Sequence, residues 1–404
     1  MTWQVIPLST SADLAESVAL ASGFFKAAGK WPYFQDVYWL LSWAKGKPED
    51  VRLYANFVNG RISGIAGGII EDCQIRIGFG SRIRLHTFRL KRLRLQEPLL
   101  CGLEGNEKSQ REELCHLFRQ ICRDHPSSPL YLEAIPVDSV THDVLRTNLI
   151  RSSYLVQQYG FETARHVIDA PPTYGAYFDT IGRETRSGLR RSMKRLFTSF
   201  PEQVRLKKFC NRAEVDHFFS EVGKVVTETW QWQRGDNMSW MIIDKFKALS
   251  TSWADRGYLR NFILYVGDHP VSYIIGYRIA DQFNLEATGY DSNWRKWAVG
   301  VACIFLSLQA MLDEDPPIVR YDFLSWEFEY KRRLGNTKWM EANFYAFPYA
   351  FRSRVIYACL RANIVAANRL RHFSHWPGPR IRFPAAASAA VIAQRPRSLG
   401  FLRD

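Results

Sequence analysis

The stretch LEATGYDSNWRKWAVGVACIFLSLQAML, residues 285–312, gives the clearest indication of the fold of this 404-residue chain. Strand-forming residues are followed by a polar loop over residues 290–300, and then by an apolar segment that predicts a helix from Val299 to Leu312. The apolar side chains of this helix have to face a sheet. Its N-terminus is therefore expected at the edge of that sheet, where unpaired N–H groups and the helix dipole favour an anion.

The residues around this helix start are compatible with a phosphate site. Gly300 would let a ligand come close to the main chain, and Ala302 keeps the first turn narrow. Arg295 lies just before the helix, and its guanidinium suits a phosphate. An ordinary loop whose glycine eases packing explains the same residues, and the spacing alone does not decide between the two interpretations.

The first half of the chain alternates between strand and helix patterns. Asn59-Gly60 predicts a hairpin turn between strands at Val51–Val58 and Arg61–Ile70. The other elements predicted in this half are helices at Tyr33–Ala44, Glu107–Arg123 and Val140–Ile150, and a strand at Leu130–Ile135. Pro171-Pro172 then marks a joint, because a proline pair blocks both a helix and a central strand.

The second half predicts a mixed α/β layer fold. A helix at Arg183–Ser199 has basic faces and one apolar stripe, formed by Leu189, Met193, Leu196, Phe197 and Phe200. Further helices are predicted at Ala213–Trp230 and Trp240–Arg256, and strands at Val204–Phe209, Leu259–Val266, Val271–Ala280, Phe283–Gly289, Val319–Leu324 and Met340–Phe347. Gly267-Asp268 predicts a hairpin turn within an antiparallel meander, which then continues into a strand–loop–helix–strand crossover.

Residues 285–347 resemble the CelD-type branch of the GNAT acyltransferase superfamily, which is related to the FemAB peptidyltransferases. That branch typically has an aromatic-Asp pair after a strand, a Gly that opens a helix, a strand ending in Asp-Phe, and a Tyr-Lys pair. These places are occupied here by Tyr290-Asp291, Gly300, Asp322-Phe323 and Tyr330-Lys331. The chain departs from the pattern at Ser325-Trp326, where the family usually has a glycine in the turn, and this bears on the shape of the acceptor pocket.

The resemblance implies two tandem GNAT-like domains, over residues 1–170 and 171–373, each a mixed, mostly antiparallel sheet flanked by helices. Residues 374–404 form a basic tail without periodicity, which is expected to be disordered. The implied cosubstrate is acetyl-CoA or another acyl-CoA, without a metal. Its pyrophosphate would lie on the amides of Val299, Gly300, Val301 and Ala302, near Arg295, and the acceptor would contact Tyr290, Asp291 and Trp326.

Acyl transfer from a thioester needs positioning, an oxyanion donor and groups that take and return a proton, but no nucleophilic triad. The catalytic candidates are Asp322, as general base or as an orienting group, Tyr330, and Lys331, which could bind an anionic part of the acceptor. Structural roles remain open for them: Asp322 as a turn-capping acid paired with Arg332 or Arg333, and Tyr330 as a core residue.

The net charge of +14 favours anionic partners, namely phosphorylated cofactors, nucleic acid or an anionic membrane. The charge is concentrated in an alternating strand at Arg82–Arg94, the helix Arg183–Arg195, a late helix at Tyr349–Phe373 and the tail. The strand could form an anion-binding groove or a solvated edge, and the first helix could bind phosphates or be solvated. The late helix could lie on an anionic membrane or pack on its own domain.

The composition also narrows the cellular setting. The seven cysteines are scattered, without a CxxC pair or a Cys/His cluster, which argues against a disulfide scaffold or a zinc site. Neither a secretory signal nor an apolar run of bilayer length is visible. A cytoplasmic protein is therefore expected, with peripheral contact to the inner membrane left open.

The predicted function is that of a GNAT-type, acyl-CoA-dependent N- or O-acyltransferase. Its acceptor would be a sugar, a sugar nucleotide or a small amine, in exopolysaccharide or cell-envelope biosynthesis. Two alternatives stay open: a Fem-like aminoacyl-tRNA-dependent transferase, and a non-catalytic nucleic-acid-binding protein.

Overall fold

The computed structural model describes residues 2–6, 16, 19, 37–44, 47–59, 61–79, 83–96, 106–233, 238–325 and 327–374. The strands are β1 (Thr2–Ile6), β2 (Val51–Val58), β3 (Arg61–Phe79), β4 (Ile83–Gln96), β5 (Leu130–Pro136), β6 (Tyr154–Asp169), β7 (Val204–Phe209), β8 (Asn261–Val266), β9 (His269–Ile279), β10 (Gln282–Tyr290), β11 (Arg320–Asp322) and β12 (Thr337–Pro348).

The α-helices are α1 (Val37–Trp43), α2 (Glu107–Asp124), α3 (Val140–Arg146), α4 (Tyr174–Thr180), α5 (Arg183–Ser199), α6 (Val215–Val226), α7 (Trp230–Gln233), α8 (Met238–Ala254), α9 (Val299–Leu312), α10 (Glu329–Leu334) and α11 (Phe351–Ser374). Short 3-10 helices lie at Pro48–Asp50, Asn148–Ile150, Arg212–Glu214 and Ser292–Trp297.

The chain divides into two compact units, one made of Met1–Glu162 with Ala342–Asp404 and the other of Thr163–Glu341. These limits differ from the predicted domains, because residues 342–373 group with the first unit and residues 163–170 with the second. β6 and β12 each contain residues of both units, so the proline pair after β6 does not mark the border. The assignment of residues 1–170 and 171–373 as GNAT-like domains stays a prediction.

The first unit contains the strand order β1-β2-β3-β4-β5-β12, in which β1 to β4 pair antiparallel and β4 pairs parallel with β5. The hairpin between β2 and β3 is confirmed, with Asn59 at φ 52°, although Gly60 lies outside the described residues and β3 extends to Phe79. β4 is an edge strand only in part, because its residues 93–96 pair with β5.

The two basic elements of the first unit, β4 and α11, both make contacts within that unit. In β4, Arg92 and Arg94 form ion pairs with Glu71 and Glu133 at 2.5 and 2.6 Å. The late helix α11 buries its apolar side, including Ile356 and Leu360, in a core of this unit. Among the described residues, no helix is long and apolar enough to cross a membrane. The predicted tail falls, from residue 375 onward, outside the described residues.

The second unit contains the strand order β6-β11-β10-β9-β8-β7, in which β10 and β11 are parallel and the other pairs antiparallel. α4, α5 and α9 share one apolar core with the sheet, and on the other face Trp253 of α8 stacks on Tyr277 of β9. The limits of α5 and α9 agree with the prediction, whereas Phe197 of the predicted α5 stripe is exposed. The predicted fold class is confirmed: a mixed α/β chain with mostly antiparallel strands flanked by helices.

Candidate active site

An opening forms in the second unit where β11 ends and its neighbour β10 continues. The two strands pair in parallel from Gln282–Arg320 to Asn284–Asp322, and β10 then runs on to Tyr290. Next to this point β10 has a bulge, because Leu285 pairs with Gly276 and Ala287 with Ile275, which leaves Glu286 as the extra residue. A bulge leaves main-chain groups unpaired and turns a side chain in a new direction. The end of β11 therefore exposes a stretch of β10 edge that has Glu286 at its start.

Helix α9 begins directly after this part of β10, through the 3-10 helix Ser292–Trp297. Ala298, in the left-handed conformation at φ 54°, occupies the N-cap position and provides no side-chain cap. The first amides of a helix have no partner inside it, and here they receive none from the capping side chain. Val299 buries its side chain in the core, so it can offer a ligand only its main chain. The predicted Ala302 amide is not available to a phosphate, because it donates to the carbonyl of Ala298 at 3.0 Å.

Cationic side chains surround the loop before α9. Arg295 and Lys296 are exposed, and the ammonium of Lys296 lies 5.0 Å from the centre of the Trp297 ring. Arg195 of α5 donates a hydrogen bond to the carbonyl of Lys296. The charge of these groups and the helix dipole both favour an anion at this position.

Gly300 is explained by a packing contact. A Cβ atom at this position would lie 2.8 Å from Cδ1 of Tyr290, at the end of β10. The Tyr290 ring thus covers the first turn of α9, and the glycine leaves room for it. Asp291 accepts a hydrogen bond from the amide of Asn293 at 2.8 Å and caps the 3-10 helix. Both predicted acceptor residues therefore have structural contacts, and Trp326 lies outside the described residues.

Asp322 is buried in an ion network, and its partner differs from the predicted Arg332 or Arg333. Arg165 of β6 donates from Nε and Nη2 to the Asp322 carboxylate, with a shortest distance of 2.6 Å. The Leu324 amide and the Gln282 amide group also donate to it, at 2.7 and 3.3 Å. The sequence did not indicate Arg165 as the partner of Asp322, because the residues of β6 show no clear strand pattern. With its oxygens occupied by these donors, Asp322 is better suited to positioning than to accepting a proton.

Glu341 extends this network. Its carboxylate accepts hydrogen bonds from Arg165 Nη1 at 3.1 Å, Trp339 Nε1 at 2.9 Å and the Ser325 hydroxyl at 3.0 Å. Burial raises the pKa of Glu341, while the Arg165 charge acts in the opposite direction. The network thus joins β6, β11 and β12 to Ser325, in the turn that follows β11.

Lys331 of α10 holds the same turn from the main-chain side. Its ammonium donates to the carbonyls of Phe323, Leu324 and Ser325 at 2.5, 3.2 and 3.0 Å. Burial lowers the pKa of Lys331 from 10.5 to about 7, and the charges of Asp322 and Glu286 act to raise it. Leu324 adopts φ 58°, a left-handed conformation that is unfavourable for a residue with a Cβ atom.

Tyr330 packs beside this turn and its pKa is raised by burial. Its ring lies edge-on to Phe323 and stacks on Phe328. The structure therefore brings Asp322, Tyr330 and Lys331 to one end of β11. Their catalytic roles stay predictions.

Glu286 is the residue that sequence analysis missed. It lies within a predicted strand, and only the pairing of β10 with β9 reveals the bulge that sets it apart. Its side chain is half-buried, and its charge acts on Lys331. The sequence did contain one signal for Glu286: it is an acidic residue within the predicted strand LEATGY, and charged residues are uncommon inside a buried strand.

Comparisons with known proteins identify a domain in this part of the chain. Residues 183–332 match the sequence model of the Acetyltransferase (GNAT) domain, and this range contains α5, β10, α9 and β11. A search of curated proteins finds no match for the chain.

Solved structures show the same fold at low sequence identity. The crystal structure of FemX matches with a TM-score of 0.54 and 9% identity, covering 80% of this chain and 94% of that one. A conserved protein of unknown function from Bacteroides thetaiotaomicron VPI-5482 matches with a TM-score of 0.52 and 11% identity, covering 84% and 98%. Each match covers more residues of this chain than either unit contains. The chain thus shares its fold with FemX, and its second unit contains a region that matches the GNAT acetyltransferase domain.

Proposed function

We propose that the protein is an acyl-CoA-dependent acyltransferase whose active site is the opening between β10 and β11. The observation that supports this most is the combination of an uncapped N-terminus of α9 with the free edge of β10 and the acidic bulge residue Glu286. Transfer from a thioester needs positioning of the reactants, hydrogen-bond donors for the developing oxyanion and a group that accepts a proton. In this proposal the helix amides and the edge of β10 position the donor, and Glu286 accepts the proton.

The donor would lie with its phosphates on the first amides of α9. Val299, Gly300 and Val301 supply these amides, and Arg295 and Lys296 supply positive charge on the preceding loop. The thioester arm could then follow the edge of β10 that β11 leaves unpaired, as an added strand does. The acyl-CoA thioester would supply the activated acyl group, and the coenzyme A thiol would be its leaving group.

The acceptor would meet the donor beside the bulge. Its nitrogen or hydroxyl attacks the thioester carbonyl, the new N–C or O–C bond forms, and the C–S bond breaks. In this proposal Glu286 takes the proton that the acceptor loses, and a proton returned to the thiolate sulfur completes the balance. We assign Asp322 and Lys331 to holding the turn 323–325 beside this step, and Tyr330 as a candidate for returning the proton.

The acceptor class follows from the resemblance to the CelD-type branch. It suggests a sugar, a sugar nucleotide or a small amine, and a role in exopolysaccharide or cell-envelope biosynthesis. A Fem-like transfer from aminoacyl-tRNA would use the same opening with another donor, and a non-catalytic nucleic-acid-binding protein would use neither Glu286 nor the amides of α9.

Calorimetric titration separates the donors. Acetyl-CoA should bind the wild-type protein, and Ala298→Asp should weaken binding by about tenfold or more, because a carboxylate would occupy the amides and repel phosphate. Ala298→Asn is the matched control, since it has the same shape without the charge, and it should bind more tightly than Ala298→Asp. Binding of tRNA that falls steeply with salt, without binding of acetyl-CoA, would contradict the proposed donor.

Release of the CoA thiol with a panel of sugar and amine acceptors tests the chemistry. Glu286→Gln should lower kcat by about 10²-fold or more with little change in KM for the donor. Glu329→Gln, an exposed acid on α10, is the control and should leave turnover unchanged. Equal turnover in the wild type and Glu286→Gln would remove Glu286 from the mechanism.

A further inference from the structure

A groove of about 490 Å³ lies on α5 and is lined by Arg183, Arg186, Ser187, Arg190 and Arg191. The five residues recur at i, i+3, i+4, i+7 and i+8, so they share one face of the helix. All of them belong to the second unit, and the proposed active site uses none of them. Four guanidinium groups thus line one groove along about 12 Å of helix.

Two of the arginines are held in place by neighbours on α4 and the loop after it. Arg186 donates from Nη1 to Asp179 at 3.0 Å and from Nη2 to the carbonyl of Ile181 at 3.3 Å. The guanidinium of Arg190 lies over the ring of Phe178, 5.4 Å from its centre. Such contacts restrict the side chains before any ligand binds, which lowers the entropy lost on binding.

The groove has a surplus of positive charge. Within the part of the chain that the structure describes, Arg183, Arg190 and Arg191 have no carboxylate within 4.0 Å. Like charges spaced by three or four residues repel each other and destabilise a helix. An anion in the groove would relieve this repulsion.

The groove is separate from the anion site at the start of α9. The residue of α5 that reaches that site is Arg195, which donates to the carbonyl of Lys296. Arg195 lies about 12 Å along the helix from Ser187, at the middle of the groove. A phosphate on the α9 amides therefore does not occupy this groove.

We propose that the groove on α5 binds the diphosphate group of a small molecule. Guanidinium groups match phosphate oxygens in bidentate geometry, and a diphosphate offers two adjacent phosphates to the three arginines that lack a carboxylate. Single-stranded nucleic acid is recognised by basic grooves that also stack bases on aromatic rings. The lining of this groove consists of arginines and one serine, which fits the phosphates alone.

Calorimetric titration of the full chain with inorganic pyrophosphate tests the site. Arg191→Gln should weaken pyrophosphate binding at least fivefold. The matched control is Lys224→Gln, which removes one positive charge from an exposed position on α6, outside the lining, and should change the affinity less than twofold. Both positions are exposed, so circular dichroism should show unchanged melting. Absence of pyrophosphate binding, equal effects of the two substitutions, or equally tight binding of orthophosphate would overturn the proposal.

Competition identifies the molecule that brings the diphosphate. Displacement of pyrophosphate by coenzyme A, with the displacement weakened by Arg191→Gln, assigns the groove to the acyl donor. Displacement by a nucleoside diphosphate such as UDP, but not by coenzyme A, assigns it to a second ligand. These experiments measure binding alone, so their result does not depend on the proposed activity. The donor site of that activity is tested separately with the Ala298 variants.

Discussion

The ammonium group of Lys331 has main-chain carbonyls as its hydrogen-bond acceptors, and this arrangement explains an unusual turn. Leu324 lies in the left-handed region, which is unfavourable for a side chain with a Cβ by roughly 1–2 kcal/mol. The three carbonyls of residues 323–325 converge on one buried donor, which stabilises the turn from inside. Lys331 thus supports a turn that contains a residue in an unfavourable conformation.

A pH-dependent stability follows from Lys331. Its folded-state pKa of about 7 lies below the usual 10.5, so the unfolded chain binds more protons at this group between these two values. The free energy of unfolding of the wild type should therefore rise from pH 7 toward pH 10, relative to Lys331→Met, by up to roughly 1 kcal/mol per pH unit. Urea denaturation at pH 7, 8.5 and 10 measures the difference in slope. Parallel slopes for the two proteins would contradict it.

Arg165 is the centre of the buried ion network, and its removal should be strongly destabilising. Arg165→Met leaves Asp322 and Glu341 buried without their cation, which typically costs about 3–5 kcal/mol of unfolding free energy. The control is Arg212→Met, which breaks the exposed pair with Asp255 and should change stability by less than about 1 kcal/mol. Urea denaturation at pH 7 compares the two variants, and similar losses in both would show that the buried network is not special.

At the scale of elements, the junction between β10 and α9 determines the candidate donor site. Tyr290 ends the strand, and its ring packs on Gly300 in the first turn of the helix. The 3-10 helix between them sets the direction in which α9 leaves the sheet. The glycine predicted as a point of close ligand approach is occupied by a side chain of the protein itself. The free amides next to it remain the feature available to a ligand.

The contact between Gly300 and Tyr290 predicts energetic coupling. Gly300→Ala places a Cβ 2.8 Å from the tyrosine ring and should destabilise by about 1–3 kcal/mol through overpacking. In a Tyr290→Ala background the same change should be neutral or stabilising, because alanine favours a helix by about 1 kcal/mol over glycine. A double-mutant cycle by thermal denaturation measures the coupling. Additive effects would mean that the ring moves away without loss.

At the scale of the whole molecule, β6 and β12 decide which residues belong to which unit. The last residues of β6 pair with β11, with Val167 opposite Asp322, and bring Arg165 to the network. Residues before the proline pair are thus part of the sheet that holds the candidate site. A border drawn at residue 170 would cut this strand away.

A proline scan tests this division in the full chain. Val167 is fully buried and pairs within the sheet, so Val167→Pro should abolish the cooperative unfolding of the second unit by breaking the ladder. Pro172→Ala, at the exposed joint, should stay within about 0.5 kcal/mol of the wild type. Near-ultraviolet circular dichroism and urea denaturation distinguish the variants. A normally folded Val167→Pro protein would show that β6 is dispensable to this unit.

The sequence determined the elements whose pattern is local. The limits of α5 and α9 follow from an apolar stripe and an apolar segment, and the β8–β9 turn follows from Gly267 with its φ of 59°. The predicted strand Val319–Leu324 is found as β11, shortened to three residues. These features depend on side chains that are close in sequence, so their periodicity can be read without a structure.

The tertiary structure decided everything that depends on a distant partner. β6 carries Arg165 and His166 in buried positions, which breaks a strand pattern until Asp322 and Glu341 are known to lie beside it. Glu286 became a candidate only through the register of β9 against β10. The sequence indicated that the basic helix could bind phosphates, and the structure showed which of its arginines line one groove. A buried charge without a partner is strongly destabilising, and the partners Arg165 and Asp322 are 157 residues apart in the sequence.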